Sequence, residues 1–233
     1  MKLLVSPINL EEARSAMNGG ADIIDVKNPK EGSLGANFPW VIKSVSDAVN
    51  SNTPISATIG DFNYKPGTAS LAALGAAVSG ADFIKVGLFD IQTKEQALEM
   101  AQRVVKSVKN YDSSKKVVIS GYADYKRINS IPVSELPPIC KEAGADVVMM
   151  DTGVKDGRST FEFMTNEELS DFTDAAREHG LLSAIAGSIN FDDIDALNQI
   201  DPDIIGIRGC VCGGDRNSVI QQKLVEDLKA MLV

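Results

Sequence analysis

Histidine is almost absent from this sequence: the chain of 233 residues contains one, His179. Most metal sites and most serine or cysteine hydrolase sites need at least one well-placed imidazole. His179 precedes Gly180, where a helix is predicted to end, so we interpret it as a partner of the helix dipole. Acid–base chemistry is therefore expected from Lys, Asp, Glu, Tyr or Cys.

Cysteine is scarce as well. Cys140, Cys210 and Cys212 are an odd number without the spacing of a disulfide framework, and the last two are too close together for an ordinary disulfide. Reduced thiols are expected. With no histidine nearby, we interpret Cys210 and Cys212 as small residues at a strand end rather than as metal ligands or nucleophiles.

Basic residues and long apolar runs are also limited. The chain has 23 Lys and Arg against 32 Asp and Glu, a formal net charge of −9 that would repel nucleic acid and anionic membranes. No apolar run approaches the roughly 20 residues that span a bilayer, and the first residues do not resemble a signal peptide. We expect a cytoplasmic protein with no nucleic-acid or membrane partner; a homo-oligomer stays open.

An internal repeat organises the chain. Gly-Ala-Asp followed by an apolar run occurs at residues 20–27, 80–87 and 144–151, and a weaker copy occupies residues 201–209. A helix-ending glycine, a short turn and an apolar, β-rich run are typical of the passage from a helix into a buried parallel strand. The repeat therefore predicts a parallel sheet along the whole sequence.

Further strand candidates lie between the copies, at residues 3–7, 55–60, 117–121 and 182–187, which makes eight in all. Helical patterns separate them, for example over residues 9–18, 93–109 and 165–178, where Thr165 and Glu168 have the spacing of a capping box. The pattern predicts an α/β fold, a (β/α)₈ TIM barrel in a single domain over residues 1–233. A doubly wound sheet is the alternative, but no Gly-x-Gly-x-x-Gly turn follows the first strand.

Charged residues interrupt the apolar strands at matching positions, namely Asp25, Lys27, Lys85 and Asp151. The residues of opposite parity are apolar: Ile24, Val26, Ile84, Val86, Val148 and Met150. Because side chains alternate between faces along a strand, we expect the charged face to line the barrel interior. TIM barrels keep their chemistry at the carboxyl ends of the strands, so these four residues and the nearby Lys155 are candidate catalytic residues.

Crowded, partly desolvated lysines have lowered pKa values, and such an amine attacks carbonyls to form a Schiff base. Asp25 lies about 6–7 Å along the strand from Lys27, and Lys85 is placed to move the proton that an iminium makes acidic. Two alternatives remain open: Asp25 and Asp151 could simply neutralise the lysines in a structural network, and Lys155 could be a solvated loop residue.

Glycine-rich loops follow the last two predicted strands. Gly187-Ser188 follows strand 7, and Arg208-Gly209 with Gly213-Gly214 follows strand 8, where barrels commonly bind a phosphate through backbone amides. We therefore take Gly187, Ser188, Arg208, Gly209, Gly213 and Gly214 as candidate phosphate-binding residues. The long segments 28–37 and 61–67 could cover the mouth of the barrel or be ordinary loop variation, and Trp40 is expected to pack between helices.

These motifs resemble the (5-formylfuran-3-yl)methyl phosphate synthase family of methanofuran biosynthesis. The resemblance covers essentially the whole chain. It rests on DVKNPKEGSLGAN at residues 25–37, IKVG at 84–87, DT at 151–152 with KDG at 155–157, and AGS at 186–188 with RG at 208–209. The block at residues 25–37 is much more specific than a short motif.

The resemblance implies a TIM-barrel lyase that condenses two molecules of glyceraldehyde 3-phosphate into a furan aldehyde phosphate, with loss of phosphate and water. It also implies Lys27 as the Schiff-base lysine and Lys85 as the proton-transferring base, with Asp25, Asp151 and Lys155 assisting. No metal or organic cofactor is expected. The residues alone lead only to a class I aldolase-like lyase acting on a sugar phosphate. A barrel that binds a phosphometabolite without turnover is the non-enzymatic alternative.

Overall fold

The computed structural model describes residues 1–49 and 53–232 as a closed barrel of parallel strands. Each strand pairs with the next, and β8 (Ile204–Ile207) pairs with β1 (Lys2–Val5) to close the sheet. The remaining strands are β2 (Ile23–Val26), β3 (Ile55–Phe62), β4 (Phe83–Leu88), β5 (Lys116–Tyr122), β6 (Val147–Asp151) and β7 (Leu182–Ile185). The predicted barrel and its eight strands are confirmed, and the doubly wound alternative is wrong because the sheet has no open edges.

A helix follows each strand. The helices are α1 (Leu10–Asn18), α2 (Pro39–Ala48), α3 (Pro66–Val78), α4 (Lys94–Tyr111), α5 (Leu136–Ala143), α6 (Asn166–Glu178), α7 (Ile194–Ile200) and α8 (Gln222–Met231). Side-chain caps from Asn9, Thr93 and Thr165 begin α1, α4 and α6, and Thr165 forms the predicted capping box with Glu168. Over residues 1–49 and 53–232, no helix is long and apolar enough to cross a membrane.

The Gly-Ala-Asp repeat has a structural explanation at the amino ends of the strands. Gly20, Gly80 and Gly144 end their helices with φ of 89°, 101° and 77°, and Asp201 takes the same left-handed conformation in the fourth copy. The repeated aspartates Asp22, Asp82, Asp146 and Asp203 accept the backbone N–H groups of Leu3, Ile55, Val117 and Ser183 at 2.7–2.9 Å. Each repeat therefore ties an even-numbered strand to the start of the preceding odd one.

The strand residues separate into two packed layers, as their parity predicts. Leu4, Ile23, Val118, Val147, Met149, Ala184, Ala186 and Ile204 form an apolar cluster inside the barrel. Ile24, Val26, Ile84, Val86, Val148 and Met150 belong to the larger core between the strands and the helices. The interior is thus filled by apolar side chains below the charged ones, so the cavity is confined to the carboxyl-terminal mouth.

Trp40 is a correction to the sequence-based expectation. Its side chain is 68% exposed, and its ring stacks on Phe38 with the centroids 4.8 Å apart. It stands in the first turn of α2, whose buried positions are Ile42 and Val45. Trp40 therefore does not pack between helices, because those two aliphatic residues occupy the inner face of α2.

Candidate active site

A cavity of about 300 Å³ opens at the carboxyl ends of the strands. Its walls include Lys27, Lys85, Asp151 and Lys155, together with the loops that follow β7 and β8. Asp25 lies fully buried beside them. The structure therefore brings the five candidate catalytic residues to one place, although they come from three separate strands and the loops that follow two of them.

Asp25 and Lys85 form a buried ion pair across the barrel. The Lys85 Nζ donates to Asp25 Oδ2 at 2.8 Å, and both side chains are at most 1% exposed. The same carboxylate accepts hydrogen bonds from Ser6 Oγ at 2.9 Å and Ser56 Oγ at 2.6 Å. Burial acts to raise the pKa of Asp25, but the positive charges of Lys85 and Lys27 outweigh it and hold the pKa below its usual value.

Lys155 pairs with Asp151 on the opposite side of the cavity. Its Nζ donates to the Asp151 carboxylate and to Thr152 Oγ1, and the Thr152 N–H also donates to Asp151. Burial favours a higher pKa for Asp151, yet Lys155 and Lys27 lower it below its usual value. The alternative of a solvated Lys155 is wrong, because the Lys155 side chain is only 15% exposed and is engaged within the protein.

Lys27 differs from the other two lysines. It directly follows the last residue of β2 and is 7% exposed, and its amine forms no hydrogen bond or ion pair with any residue in 1–49 or 53–232. Burial, helped by the charges of Lys155 and Lys85 and opposed by Asp151 and Asp25, lowers its pKa to about 7. About half of this amine is therefore neutral near pH 7, the form that attacks a carbonyl.

The loop after β7 presents backbone amides to the cavity. Gly187 has φ of 102°, and a Cβ there would lie 2.3 Å from Thr160 Oγ1, so only glycine fits. Ser188 also has a left-handed backbone, with φ of 53°. The N–H groups of Gly187 and Ser188 have no acceptor among the described residues, and both residues line the cavity.

The loop after β8 contributes Gly209 and Gly214 to the same cavity, and a Cβ at either would meet open space. Gly213, with φ of 74°, ends the short 3₁₀ turn Gly209–Cys212 and is not part of the cavity wall. Three of the glycine candidates (Gly187, Gly209 and Gly214) and the adjoining Ser188 thus border the cavity, whereas Gly213 shapes the turn.

Arg208 is buried, and all five of its N–H donors point at protein oxygens. It donates to the Glu12 carboxylate at 2.7 and 3.4 Å and to the carbonyls of Ser6, Arg216 and Ser218 at 2.6, 2.6 and 3.1 Å. The guanidinium thereby ties the β8 loop to α1 and to the end of β1. Direct phosphate binding by this side chain stays a prediction that requires one of these bonds to be exchanged.

The segment after β2 covers part of the mouth. Leu34 is fully buried, and its N–H donates to the Asp61 carboxylate at 3.0 Å. Ser33 Oγ donates to the Thr152 carbonyl at 2.7 Å, which links this loop to the end of β6. The segment after β3 behaves differently: residues 63–65 are exposed and do not close the site.

Four polar residues of the site escaped the sequence analysis. Ser6 and Ser56 have the interior parity that identified the charged residues, but a serine in a strand is too common to stand out. Asp61 lies beyond a register shift in β3, and its pKa is raised chiefly by burial, although Tyr122 Oη donates to it. Arg216 ends the segment after β8, residues 208–216, that the sequence predicts to bind phosphate, but no pattern singled out its side chain.

The cysteines and His179 have the structural roles expected of them. Burial raises the pKa of Cys210 to about 12 and that of Cys212 to about 11, so both thiols are protonated near neutrality. His179 follows the last residue of α6, where its Nδ1–H donates to the Ala175 carbonyl at 2.7 Å. These residues are therefore no part of the candidate chemistry.

A parallel (β/α)₈ barrel with paired and unpaired lysines at the carboxyl ends of its strands defines a TIM-barrel enzyme. Residues 3–229 match the model of the 4-HFC-P synthase family, and the chain belongs to this family. The protein named (5-formylfuran-3-yl)methyl phosphate synthase from Methanosarcina acetivorans is 70% identical over 99% of this chain and 98% of its own length. The protein of the same name from Methanocaldococcus jannaschii is 52% identical over 99% of both chains.

Solved structures of lower identity share the fold. A 3-hexulose-6-phosphate synthase superposes with a TM-score of 0.68 at 20% identity over 100% of both chains. Phosphoribosyl anthranilate isomerase from Thermus thermophilus gives a TM-score of 0.65 at 15% identity, covering 99% of this chain and 98% of its own. At these identities the similarity establishes the barrel architecture alone.

Proposed function

We propose that this enzyme is a lyase that condenses two molecules of glyceraldehyde 3-phosphate into (5-formylfuran-3-yl)methyl phosphate, a step of methanofuran biosynthesis. One phosphate and two waters leave, so that the atoms of the substrates and products balance. The names of the relatives support the product. The scheme uses a Schiff base on the protein and no metal or organic cofactor.

The free amine of Lys27 is the observation that carries this proposal. Lys85 and Lys155 each donate to a buried carboxylate, whereas the Lys27 amine has no such partner and a pKa of about 7. A neutral amine in a cavity attacks the aldehyde carbon of the substrate, and loss of water then leaves an iminium. Among the residues described, Lys27 is the cavity lysine best suited to this step.

The iminium makes the hydrogen on the neighbouring carbon acidic. We assign the transfer of that proton to Lys85 with Asp25, because Lys85 lines the cavity and is fixed by Asp25. The enamine that results bonds to the aldehyde carbon of the second molecule. Loss of phosphate and water, ring closure and release of Lys27 complete the reaction, while Asp151 and Lys155 supply charge beside the intermediates.

A phosphate of the substrate is proposed to bind at the loops after β7 and β8. The free N–H groups of Gly187 and Ser188 and the open surface at Gly209 and Gly214 form a cradle without bulky side chains. Backbone amides that lack a protein acceptor suit phosphate oxygens. Arg208 and Gly213 contribute chiefly by holding the β8 loop in shape.

The test is to incubate the protein with glyceraldehyde 3-phosphate alone and to follow furan absorbance and released phosphate, with borohydride trapping and peptide mapping in parallel. We expect both products and an adduct on Lys27. Lys27→Arg keeps a charge but loses the titratable amine, so adduct and furan should both disappear. Lys85→Arg should still trap the adduct but form little furan.

Other outcomes would decide against the proposal. A class I aldolase would yield a six-carbon sugar bisphosphate without releasing phosphate, and a binding protein would yield nothing. An adduct on Lys85 or Lys155 would make the assignment of the nucleophile wrong. Near-normal furan formation by Lys85→Arg would remove Lys85 from the scheme.

A further inference from the structure

Arg216 is a cavity-lining cation that the proposed scheme leaves without a role. Its side chain is half-buried, and its one hydrogen bond runs from Nη2 to the Gly32 carbonyl at 3.1 Å. No carboxylate in residues 1–49 or 53–232 forms an ion pair with it. In contrast, every N–H donor of Arg208 in the same loop is hydrogen-bonded to a protein oxygen.

The protein holds Arg216 in place through its backbone. Arg208 Nε donates to the Arg216 carbonyl at 2.6 Å, and Arg208 Nη2 donates to the Ser218 carbonyl at 3.1 Å. The Asn217 N–H also donates to Asp215 Oδ1 at 2.9 Å, which closes a turn around Arg216. Arg208, which forms a buried ion pair with Glu12, therefore supports the loop that carries Arg216, and the Arg216 side chain lines the cavity.

A cation in such a place costs free energy unless a ligand offsets the cost. Burial lowers the pKa of Arg216, which means that its charged form is poorly solvated there. Its single neutral acceptor leaves most of the planar donor fork available, and that fork matches phosphate oxygens in bidentate geometry. The proposed reaction brings two phosphates into the cavity, whereas the amides after β7 and the open surface at Gly209 and Gly214 form one cradle.

We propose that Arg216 binds a substrate phosphate as a second anion-binding element, separate from the backbone cradle. The inference rests on the proposed function, because that reaction supplies two phosphorylated aldehydes. The hydrogen bond from Arg216 to the Gly32 carbonyl also connects the proposed phosphate site to the loop after β2. Gly32 belongs to the loop that begins after Lys27, so a phosphate held by Arg216 lies against the segment that covers the mouth.

The experiment compares wild type with Arg216→Gln, Arg216→Lys and the matched control Arg103→Gln. Arg103 is exposed on α4 and pairs with Glu99, far from the cavity walls. Three quantities are measured: the KM for glyceraldehyde 3-phosphate, the concentration dependence of borohydride labelling at Lys27, and labelling by unphosphorylated glyceraldehyde. Labelling by glyceraldehyde reports on the amine without any phosphate contact.

For Arg216→Gln we expect a KM about 10- to 100-fold higher, with labelling by glyceraldehyde unchanged. The KM of Arg216→Lys should lie between those of wild type and Arg216→Gln, since an ammonium keeps the charge but not the planar donor fork. If labelling by the phosphorylated substrate also needs a higher concentration, Arg216 holds the phosphate of the covalently bound molecule. If labelling is normal and only furan formation weakens, it holds that of the second molecule. Either result supports the proposal.

Equal losses with both aldehydes would overturn the inference, because Arg216 would then act on the loop or the amine rather than on phosphate. An unchanged KM would overturn it as well. Calorimetric titration with inorganic phosphate separates this inference from the proposed function. If wild type forms no furan but binds phosphate, and Arg216→Gln binds it about 10-fold or more weakly while Arg103→Gln does not, the proposed reaction fails and the phosphate site stands.

Discussion

At the level of single side chains, three lysines in one cavity have different chemistry because of what each amine contacts. Lys85 and Lys155 are held in place by ion pairs with Asp25 and Asp151. Lys27 forms no ion pair with either carboxylate and is desolvated by burial, which lowers its pKa to about 7. The environment, rather than the residue type, distinguishes Lys27 as the proposed nucleophile.

This difference predicts a pH dependence for labelling at Lys27. A lysine with a pKa lowered to about 7 is neutral above that pH and protonated below it, so the labelling rate should rise with pH and level off above about 7. Below the midpoint, each pH unit should reduce the rate about tenfold. The measurement is the initial rate of borohydride trapping with glyceraldehyde across this range.

Lys155→Met is the comparison variant. It removes a positive charge that lowers the pKa of Lys27 and frees Asp151, which raises it, so both changes should move the midpoint upward. A wild-type midpoint near that of a solvated lysine, about 10.4, would contradict the structural account. A downward shift in Lys155→Met would also disagree with it.

Among the elements of secondary structure, β3 decides how the mouth is covered. Its pairing with β4 shifts register between Thr58 and Asp61, and Gly60 has φ of 127° there. Such an irregularity re-aims the side chains beyond it. Asp61 consequently meets Leu34 N–H and Tyr122 Oη, and Thr58 Oγ1 donates to the Gly35 carbonyl at 2.7 Å. A short stretch of β3 thus fastens the loop after β2.

We predict that Asp61→Asn loosens this loop while the barrel stays folded. The amide carries no charge, and its NH₂ group presents a donor where the carboxylate presents a second acceptor oxygen, so at least one hydrogen bond to a charged group is lost, worth about 1.5–3 kcal/mol. Amide hydrogen exchange at Leu34 should become about 10- to 100-fold faster, whereas exchange in β5 should not change.

Tyr122→Phe serves as the control for this prediction. It removes one donor to Asp61 and keeps the bond to Leu34, so exchange at Leu34 should change much less than in Asp61→Asn. If Leu34 exchanges slowly in Asp61→Asn, the loop is held by Ser33 and Thr58 instead. If all strands exchange faster, Asp61 supports the barrel rather than the loop.

Across the complete barrel, burial of charged side chains in the interior costs desolvation free energy, which their pairing must offset. Asp25 and Lys85 come from strands that are not neighbours, yet each is the partner that makes burial of the other tolerable. The apolar layer beneath them excludes water, which strengthens the pair but makes a missing partner costly. The pair to which we assign proton transfer is therefore also a structural one.

We predict that Asp25→Ala lowers the free energy of unfolding by about 3–5 kcal/mol, since it leaves the Lys85 charge buried without a partner. Urea denaturation monitored by circular dichroism measures the loss. Asp47→Ala breaks the exposed pair of Asp47 with Lys43 and should have little effect. A small loss in Asp25→Ala would show that Lys85 is neutral or resolvated in the variant.

The pH dependence of that loss has a definite sign. The folded pKa of Asp25 is lowered, so its stabilising contribution is present above the unfolded value of about 3.8 and disappears as pH falls through the lower folded value. The difference between wild type and Asp25→Ala should be constant near neutrality and shrink in acid. A difference that grows in acid would contradict the lowered pKa.

The amino-acid sequence was sufficient for the barrel and for the prediction that its charged strand residues meet at one cavity. Strand alternation is a local property, so the parity of Asp25, Lys85 and Asp151 identified the interior face without knowledge of neighbours. The Gly-Ala-Asp repeat likewise marked each helix-to-strand passage, because a left-handed glycine is a local requirement. The resemblance of the segment 25–37 to one family added the chemistry that we propose.

The tertiary structure alone decided how these residues are paired. Lys85 meets Asp25 although the two are far apart in the sequence, and Lys27 is left without a carboxylate because of where the closed barrel places its amine. The tertiary structure likewise decided that the donors of Arg208 are all bonded to Glu12 and backbone carbonyls. It also decided that Arg216 lines the cavity with a single hydrogen bond, to the Gly32 carbonyl. Pairing depends on distances across the barrel, and no local pattern in the chain encodes those distances.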